Sequence, residues 1–157
     1  MGVALVHEWL NTRVGGSEKV LIELANLYPD AEIFTLRFRS SFYRGVVEPK
    51  RVHTSYLQRL PRILTDRPRY LLPLIPTAIE QFDFSNFDIV ISSSNAFSKG
   101  IITGPQTLHV CYCYSPMRFA WDYFPRYLAE QNLGQIRKFE ASRIISKLGI
   151  GDDYQSK

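Results

Sequence analysis

Thr107-Leu-His-Val-Cys-Tyr-Cys-Tyr-Ser-Pro-Met-Arg-Phe-Ala-Trp-Asp122 decides how the rest of the chain is read. Residues 108–114 form an apolar, aromatic-rich run of strand length, and Ser115-Pro116 ends it. A stretch of helical character carrying Arg118, Trp121 and Asp122 begins at once, and Pro116 suits the first position of a helix. A strand that hands polar and aromatic groups directly to a helix start belongs in an open α/β sheet. There, ligands bind at the carboxyl ends of the strands.

Working outward, strands alternate with helices. Val3 to Val6 is a short apolar run, and Ser17 to Tyr28 has apolar residues at 20, 21, 24, 25, 27 and 28, a helical period. Pro29-Asp30 stops that helix, and Glu32 to Leu36 reads as a second strand. Residues 37–52 are basic and irregular and receive no assignment. Ser55 to Leu60 and Tyr70 to Phe82 read as helical pieces broken by prolines. Phe87 to Ile91 is a third strand running into Ser92-Ser93-Ser94, Ala96 to Ile102 a turn or short helix, and Leu108 to Tyr114 the fourth strand. Ile136 to Leu148 is a last amphipathic helix, closed by Gly149 and a polar tail. The alternation predicts an α/β protein, a Rossmann-like open parallel sheet with helices on both faces. The expected organisation is one domain over 1–135, followed by a helix and tail over 136–157.

Composition narrows the class. At 157 residues, with 45% hydrophobic and 22% charged residues, the chain can bury one core and has the balance of a soluble globule. A net charge of +4 is too small to imply nucleic acid. The amino terminus lacks the basic and apolar regions of a signal peptide, and the expected compartment is the cytoplasm. Cys111, Cys113 and His109 share one strand face. Alternate strand residues are ~6.8 Å apart, whereas two sulfurs on one zinc lie within ~4.6 Å of each other. No metal is expected, and the cysteines read as buried, reduced thiols in a core strand.

In a parallel sheet His7, Ser92, Ser93, Ser94, Tyr114 and Ser115 fall on one edge, at the strands' carboxyl ends. Gly15-Gly16-Ser17 opens a helix beside them, and the free N–H groups and positive dipole end of a helix suit a phosphate. The glycine spacing is not that of a dinucleotide fingerprint. Each signal has a bland counterpart: a turn for the glycines, a satisfied histidine for His7, capping for the serines. Arg118 suits either a phosphate or carboxylate clamp or an ion pair with Asp122 four residues on. Trp121 suits either core packing or a sugar-stacking platform. Their joint placement on one edge is what raises the functional reading.

Several ordered segments together resemble the N-terminal half of a GT-B glycosyltransferase of family 4, the mannosyltransferase-like branch. They are Val-Ala-Leu-Val-His-Glu-Trp-Leu at 3–10, Gly-Gly-Ser-Glu-Lys-Val-Leu at 15–21, and Tyr-Pro-Asp-Ala-Glu-Ile-Phe-Thr-Leu at 28–36. His-Thr-Ser-Tyr-Leu-Gln-Arg-Leu-Pro at 53–61, Leu-Pro-Leu-Ile-Pro-Thr-Ala-Ile-Glu at 72–80 and Phe-Asp-Ile-Val-Ile-Ser-Ser-Ser at 87–94 continue the series, which 107–122 completes. The resemblance implies retaining transfer of a hexose, such as mannose, from a nucleotide sugar to a polysaccharide or lipid-linked acceptor, without metal or other cofactor. It implies that Gly15, Gly16 and Ser17 lie near the donor diphosphate. His7, Ser92 to Ser94, Ser115, Arg118, Trp121 and Asp122 would then line the acceptor side of the cleft. Where the family often carries a histidine that supports catalysis, this chain has Tyr114, whose pKa near 10 denies it histidine's acid–base role at neutral pH. The resemblance also implies a second, donor-binding domain, in cis or in trans, without which the 157 residues are expected to be inactive.

Between 50 and 69, Lys50, Arg51, Arg59, Arg62, Arg67 and Arg69 face one acid, Asp66, among apolar residues. Either a peripheral contact with an anionic membrane, led by Arg59, Arg62, Arg67 and Arg69, or a solvated basic face accounts for them. The alternative function is a non-catalytic relic or accessory subunit that binds through the same cleft.

Overall fold

The computed structural model describes residues 1–61 and 71–114. Five parallel strands are present: β1 (Val3–Leu10), β2 (Glu32–Phe38), β3 (Val52–Thr54), β4 (Ile89–Ser94) and β5 (Leu108–Cys113), in the order β3-β2-β1-β4-β5. Among the described residues two α-helices accompany them, α1 (Gly16–Leu27) and α2 (Ile75–Glu80). The open parallel sheet with helices on both faces is therefore observed. The strand order reverses direction between β1 and β4, where Val3 pairs with Ile89 and His7 with Ser93.

Each face of the sheet has its own apolar layer, because alternate strand residues point to opposite sides. On one side Val3, Leu5 and Ile33 pack with Leu21 and Ala25 of α1 and with Tyr43. On the other, Ala4, Val6, Phe34 and Val90 pack with Ile75, Ala78 and Ile79 of α2 and with Phe84. Phe34 is the hub of the second layer, edge-on to Phe82, Phe84 and Phe87 at 5.4, 5.0 and 5.6 Å and stacked on His53 at 4.8 Å. Central strands covered on both faces read as continuous apolar runs, which is why 3–6 was legible as a strand.

Several elements differ from expectation. β1 continues through His7, Glu8 and Trp9 to Leu10, because these residues pair with β2 as far as Leu10 with Phe38. β3 had no signal: three residues beside the irregular 37–52 stretch carry no detectable period, and pairing with Ile33 to Thr35 alone makes them a strand. β4 starts at Ile89 and not at Phe87, and the serines 92–94, expected at its carboxyl end, form its second half, all three fully buried. Cys111 and Cys113 are exposed, not buried. Like β3, β5 is an edge strand among the described residues, and Leu108, Val110 and Tyr112 on its other face are also exposed, at 59%, 45% and 54%.

Arg51 has a structural task. Its guanidinium donates to the carbonyls of Ala31 at 2.9 and 2.7 Å and of Tyr28 at 3.0 Å, closing the carbonyl-rich end of α1. The loop from β2 to β3 turns at Gly45, whose φ of 76° only glycine adopts without strain. The compact unit runs Met1–Ser115. The expected boundary at 135, the helix over 136–148 and the tail lie outside the described residues.

Leu5→Ala removes a fully buried side chain from the α1 layer and is expected to cost ~2–5 kcal/mol. Gly45→Ala is expected to cost about 1 kcal/mol through backbone strain. Urea unfolding of the 157-residue chain measures both.

Candidate functional site

The carboxyl edge is built from two adjacent residues of β1 that point to opposite faces. Glu8 points toward the α2 side and is 1% exposed. Its Oε1 accepts hydrogen bonds from Ser94 Oγ at 3.1 Å and from the backbone N–H groups of Ala96, Phe97 and Ser98 at 2.8, 2.8 and 3.0 Å. Its Oε2 accepts from the Asn95 N–H at 3.0 Å. Burial pushes the carboxyl upward, but the hydrogen bonds from Ser98, Ala96, Asn95 and Phe97 together outweigh it and hold Glu8 below the ordinary 4.5. Glu8 is therefore an ionised carboxylate held in a concave nest of N–H groups. Ser94 Oγ also accepts from the Lys99 N–H at 3.1 Å, so the turn after β4 is tied at both ends.

His7 faces the α1 side and is likewise 1% exposed. Its Nδ1 lies 3.0 Å from the Ser93 carbonyl oxygen and 3.1 Å from Ser93 Oγ. Ser93 Oγ is 2.9 Å from the Tyr114 hydroxyl, which donates to the Ser17 carbonyl at 3.2 Å. Four of the residues singled out from sequence are thus joined in one network spanning β1, β4, the end of β5 and the first turn of α1. Burial lowers His7 below the ordinary 6.5, with Glu8, the Ser93 carbonyl and Glu18 pulling only partly back, so the ring is neutral at pH 7. Burial raises Tyr114 above 10; its hydrogen bond with Ser93 opposes the rise, and Tyr112, Glu18 and Glu8 add to it. Tyr114 is accordingly a protonated phenol at neutral pH.

At the start of α1, Gly15 and Gly16 are exposed, and a Cβ on Gly16 would meet nothing within 4 Å. Glu18 folds back over the terminus, its Oε2 accepting from the Gly15 N–H at 3.0 Å and from Ser17 Oγ at 3.1 Å. A Cβ on Gly15 would sit 2.8 Å from that oxygen, so glycine there allows the carboxylate its close approach. One of the free N–H groups of the helix end is therefore taken by the helix's own acid.

Ser92 turns away from this network, placing its Oγ 2.8 Å from His109 Nε2 on the other face. The structure thus brings together His7, Ser93, Tyr114 and Ser17, sets Gly15 and Gly16 beside them, and separates Ser92 and Ser94. Ser115, Arg118, Trp121 and Asp122 lie outside the described residues. Of the basic stretch, Arg59 is exposed, Lys50 pairs with Glu48 at 2.7 Å, and Arg51 is engaged as described above. Arg62, Arg67 and Arg69 lie outside the described residues. Among the described residues no helix is long and apolar enough to cross a membrane, and no group of three metal-ligating side chains occurs.

Sequence reasoning missed Glu8 and Glu18, and weighed His109 only as a zinc ligand and not as the partner of Ser92. For Glu8 a signal existed: an acid continuing the apolar run Val3-Ala-Leu-Val-His7 is buried if the strand continues, and a buried carboxyl needs hydrogen-bond partners from the protein. Comparison with models of known protein families, with curated proteins and with solved structures yields no match for this chain.

Glu8→Gln keeps the shape but sets an amide against N–H donors, and is expected to cost about 3 kcal/mol at pH 7. Because folding lowers the Glu8 pKa, its stabilisation is full above the unfolded value and is lost as pH falls through the folded one. The stability gap between wild type and the variant should therefore close as pH drops below 4.5, measured by urea titration at stepped pH.

Proposed function

We propose that this chain is the acceptor-side domain of a retaining glycosyltransferase that moves a hexose, mannose in the reading its motifs favour, from a nucleotide sugar to a polysaccharide or lipid-linked acceptor. It works with a donor-binding domain in cis or in trans and has no turnover of its own. The observation that carries the reading is the convergence of His7, Ser93, Tyr114 and the first turn of α1 on one sheet edge, where the strand order reverses. That position is where open α/β sheets bind ligands. The ordered motif resemblance supplies the reaction class, and fold alone does not.

In this reading the N–H groups at Gly16 and Ser17, and the Gly15 N–H once Glu18 releases it, receive the donor diphosphate. The edge at His7 and Tyr114 meets the sugar and the acceptor hydroxyl. No cofactor takes part, and the basic residues around Arg59 hold the domain near a lipid-linked acceptor.

One observation favours the second reading, an accessory subunit that binds an acceptor without catalysis: Glu18 already occupies the Gly15 N–H. The two readings separate experimentally. Titration of inorganic pyrophosphate into the labelled chain is expected to shift the amide resonances of Gly15, Gly16 and Ser17 while leaving Val52 to Thr54 unchanged. Gly16→Glu, at a position where the new Cβ meets nothing, is expected to weaken that binding several-fold through about 1 kcal/mol of repulsion at the helix end. Unmoved amides at 15–17, with saturable binding of a glycan acceptor, would instead select the accessory reading. Hexose transfer by the 157-residue chain alone would contradict both.

A further inference from the structure

The hydrogen-bond network on the α1 side has one consistent direction. The Ser17 carbonyl only accepts, so the Tyr114 hydroxyl proton is committed to it at 3.2 Å. Tyr114 then accepts from its other neighbour, so Ser93 Oγ donates to it across 2.9 Å. With that proton committed, Ser93 Oγ accepts from His7 Nδ1 at 3.1 Å. The Ser93 carbonyl, 3.0 Å from the same Nδ1, makes the same demand independently, since a lone pair there would face another lone pair. The chain reads His7 Nδ1–H to Ser93 Oγ–H to Tyr114 O–H to the Ser17 carbonyl. Each proton is used once, apart from the shared Nδ1–H.

We infer that His7 is the acid–base-competent group of this edge, held as the Nδ1–H tautomer with Nε2 as an acceptor for a ligand hydroxyl, and that Ser93 and Tyr114 are positioning residues. The ligand half of this inference rests on the function proposed above; the tautomer half does not. Tyr114 stands where the resembling family often has histidine, yet its hydroxyl is engaged in both roles, donor to Ser17 and acceptor from Ser93. The network ends in a carbonyl, which takes no proton, so it orients and polarises the imidazole without conducting a proton away. Donation from Nδ1 raises electron density on the ring and improves Nε2 as an acceptor. The charged groups whose fields reach the ring, Glu8 and Glu18, are both carboxylates and favour a proton arriving at Nε2. Because the ring is 1% exposed, only a small group such as a single sugar hydroxyl suits Nε2, and not a bulky face.

Long-range ¹H–¹⁵N spectra of the intact labelled chain test this directly. At pH 7 the His7 signals are expected to be those of a neutral ring with Nδ1 protonated and Nε2 bare. Ser93→Ala and Tyr114→Phe leave the Ser93 carbonyl in place, so Nδ1 is expected to stay protonated while the His7 ring resonances shift as the hydroxyl network is lost; Ser93→Thr, which keeps the hydroxyl, is expected to leave them near wild type. If Ser93→Ala fails to fold, Tyr114→Phe and Ser93→Thr carry the test by themselves. A protonated Nε2 in the wild type, or His7 ring resonances unmoved by both Ser93→Ala and Tyr114→Phe, overturns the inference. Titration with methyl α-mannoside is expected to move the Nε2 resonance; an unmoved Nε2 overturns the assignment of His7 to a ligand hydroxyl. Failure of pyrophosphate to bind at 15–17, with the Nδ1–H tautomer intact, defeats the donor reading and leaves the positioning roles standing.

Discussion

A buried carboxylate solvated by backbone N–H groups holds the carboxyl edge of this sheet together. Glu8 is stabilised by four consecutive backbone N–H groups and one serine hydroxyl, all supplied by the end of β4 and the turn that follows. An ionised group in that position is tolerable only while every donor stays in place, since an isolated buried charge is very costly. The dependence therefore runs both ways: the turn solvates the acid, and the acid fixes the turn. β4 is held in register through Ser94, and Phe97 is brought against the α2-side core.

The neighbouring residue builds the other half of the edge on different principles. His7 is neutral, and its network of hydroxyls and carbonyls carries no formal charge except at its margin, where Glu18 caps α1. One position apart in sequence, Glu8 and His7 are separated by the sheet itself. The α2 side is an anchored, ionic structure, and the α1 side is a neutral, orientable one that opens on a glycine-rich helix start. In the proposed donor reading, a ligand anion arriving there would meet a carboxylate already using the Gly15 N–H, and its binding would be linked to movement of Glu18.

Much of the fold could be read from the chain because its signals are local. The periodicity over 17–28 lies within one residue of α1 at each end, and the apolar runs at 3–6, 32–36 and 108–114 each locate a strand. What escaped notice has non-local causes. β3 is a strand only because β2 offers it an edge, and three residues cannot show a period. The serines at 92–94 have the composition of a turn, yet pairing with β5 as far as Ser94 with Cys113 draws them into the sheet. Cys111 and Cys113 have the composition of a core strand, yet they lie exposed on β5 at the edge of the sheet.

By itself, the order of residues determined that strands and helices alternate, that a parallel sheet results, and that His7, the Gly15-Gly16 loop, Ser93 and Tyr114 lie toward one edge. Period and turn chemistry act over a few residues, and a parallel sheet aligns all its carboxyl ends. Only the tertiary structure decided which of these groups touch. The pairing of Val3 with Ile89 sets the β1–β4 register, and that register puts His7 opposite Ser93 and leaves Glu8 facing Ser94. A shift of one residue would turn every side chain of β4 to the opposite face. Contacts between residues 86 positions apart depend on that choice, and no local pattern in the chain encodes it.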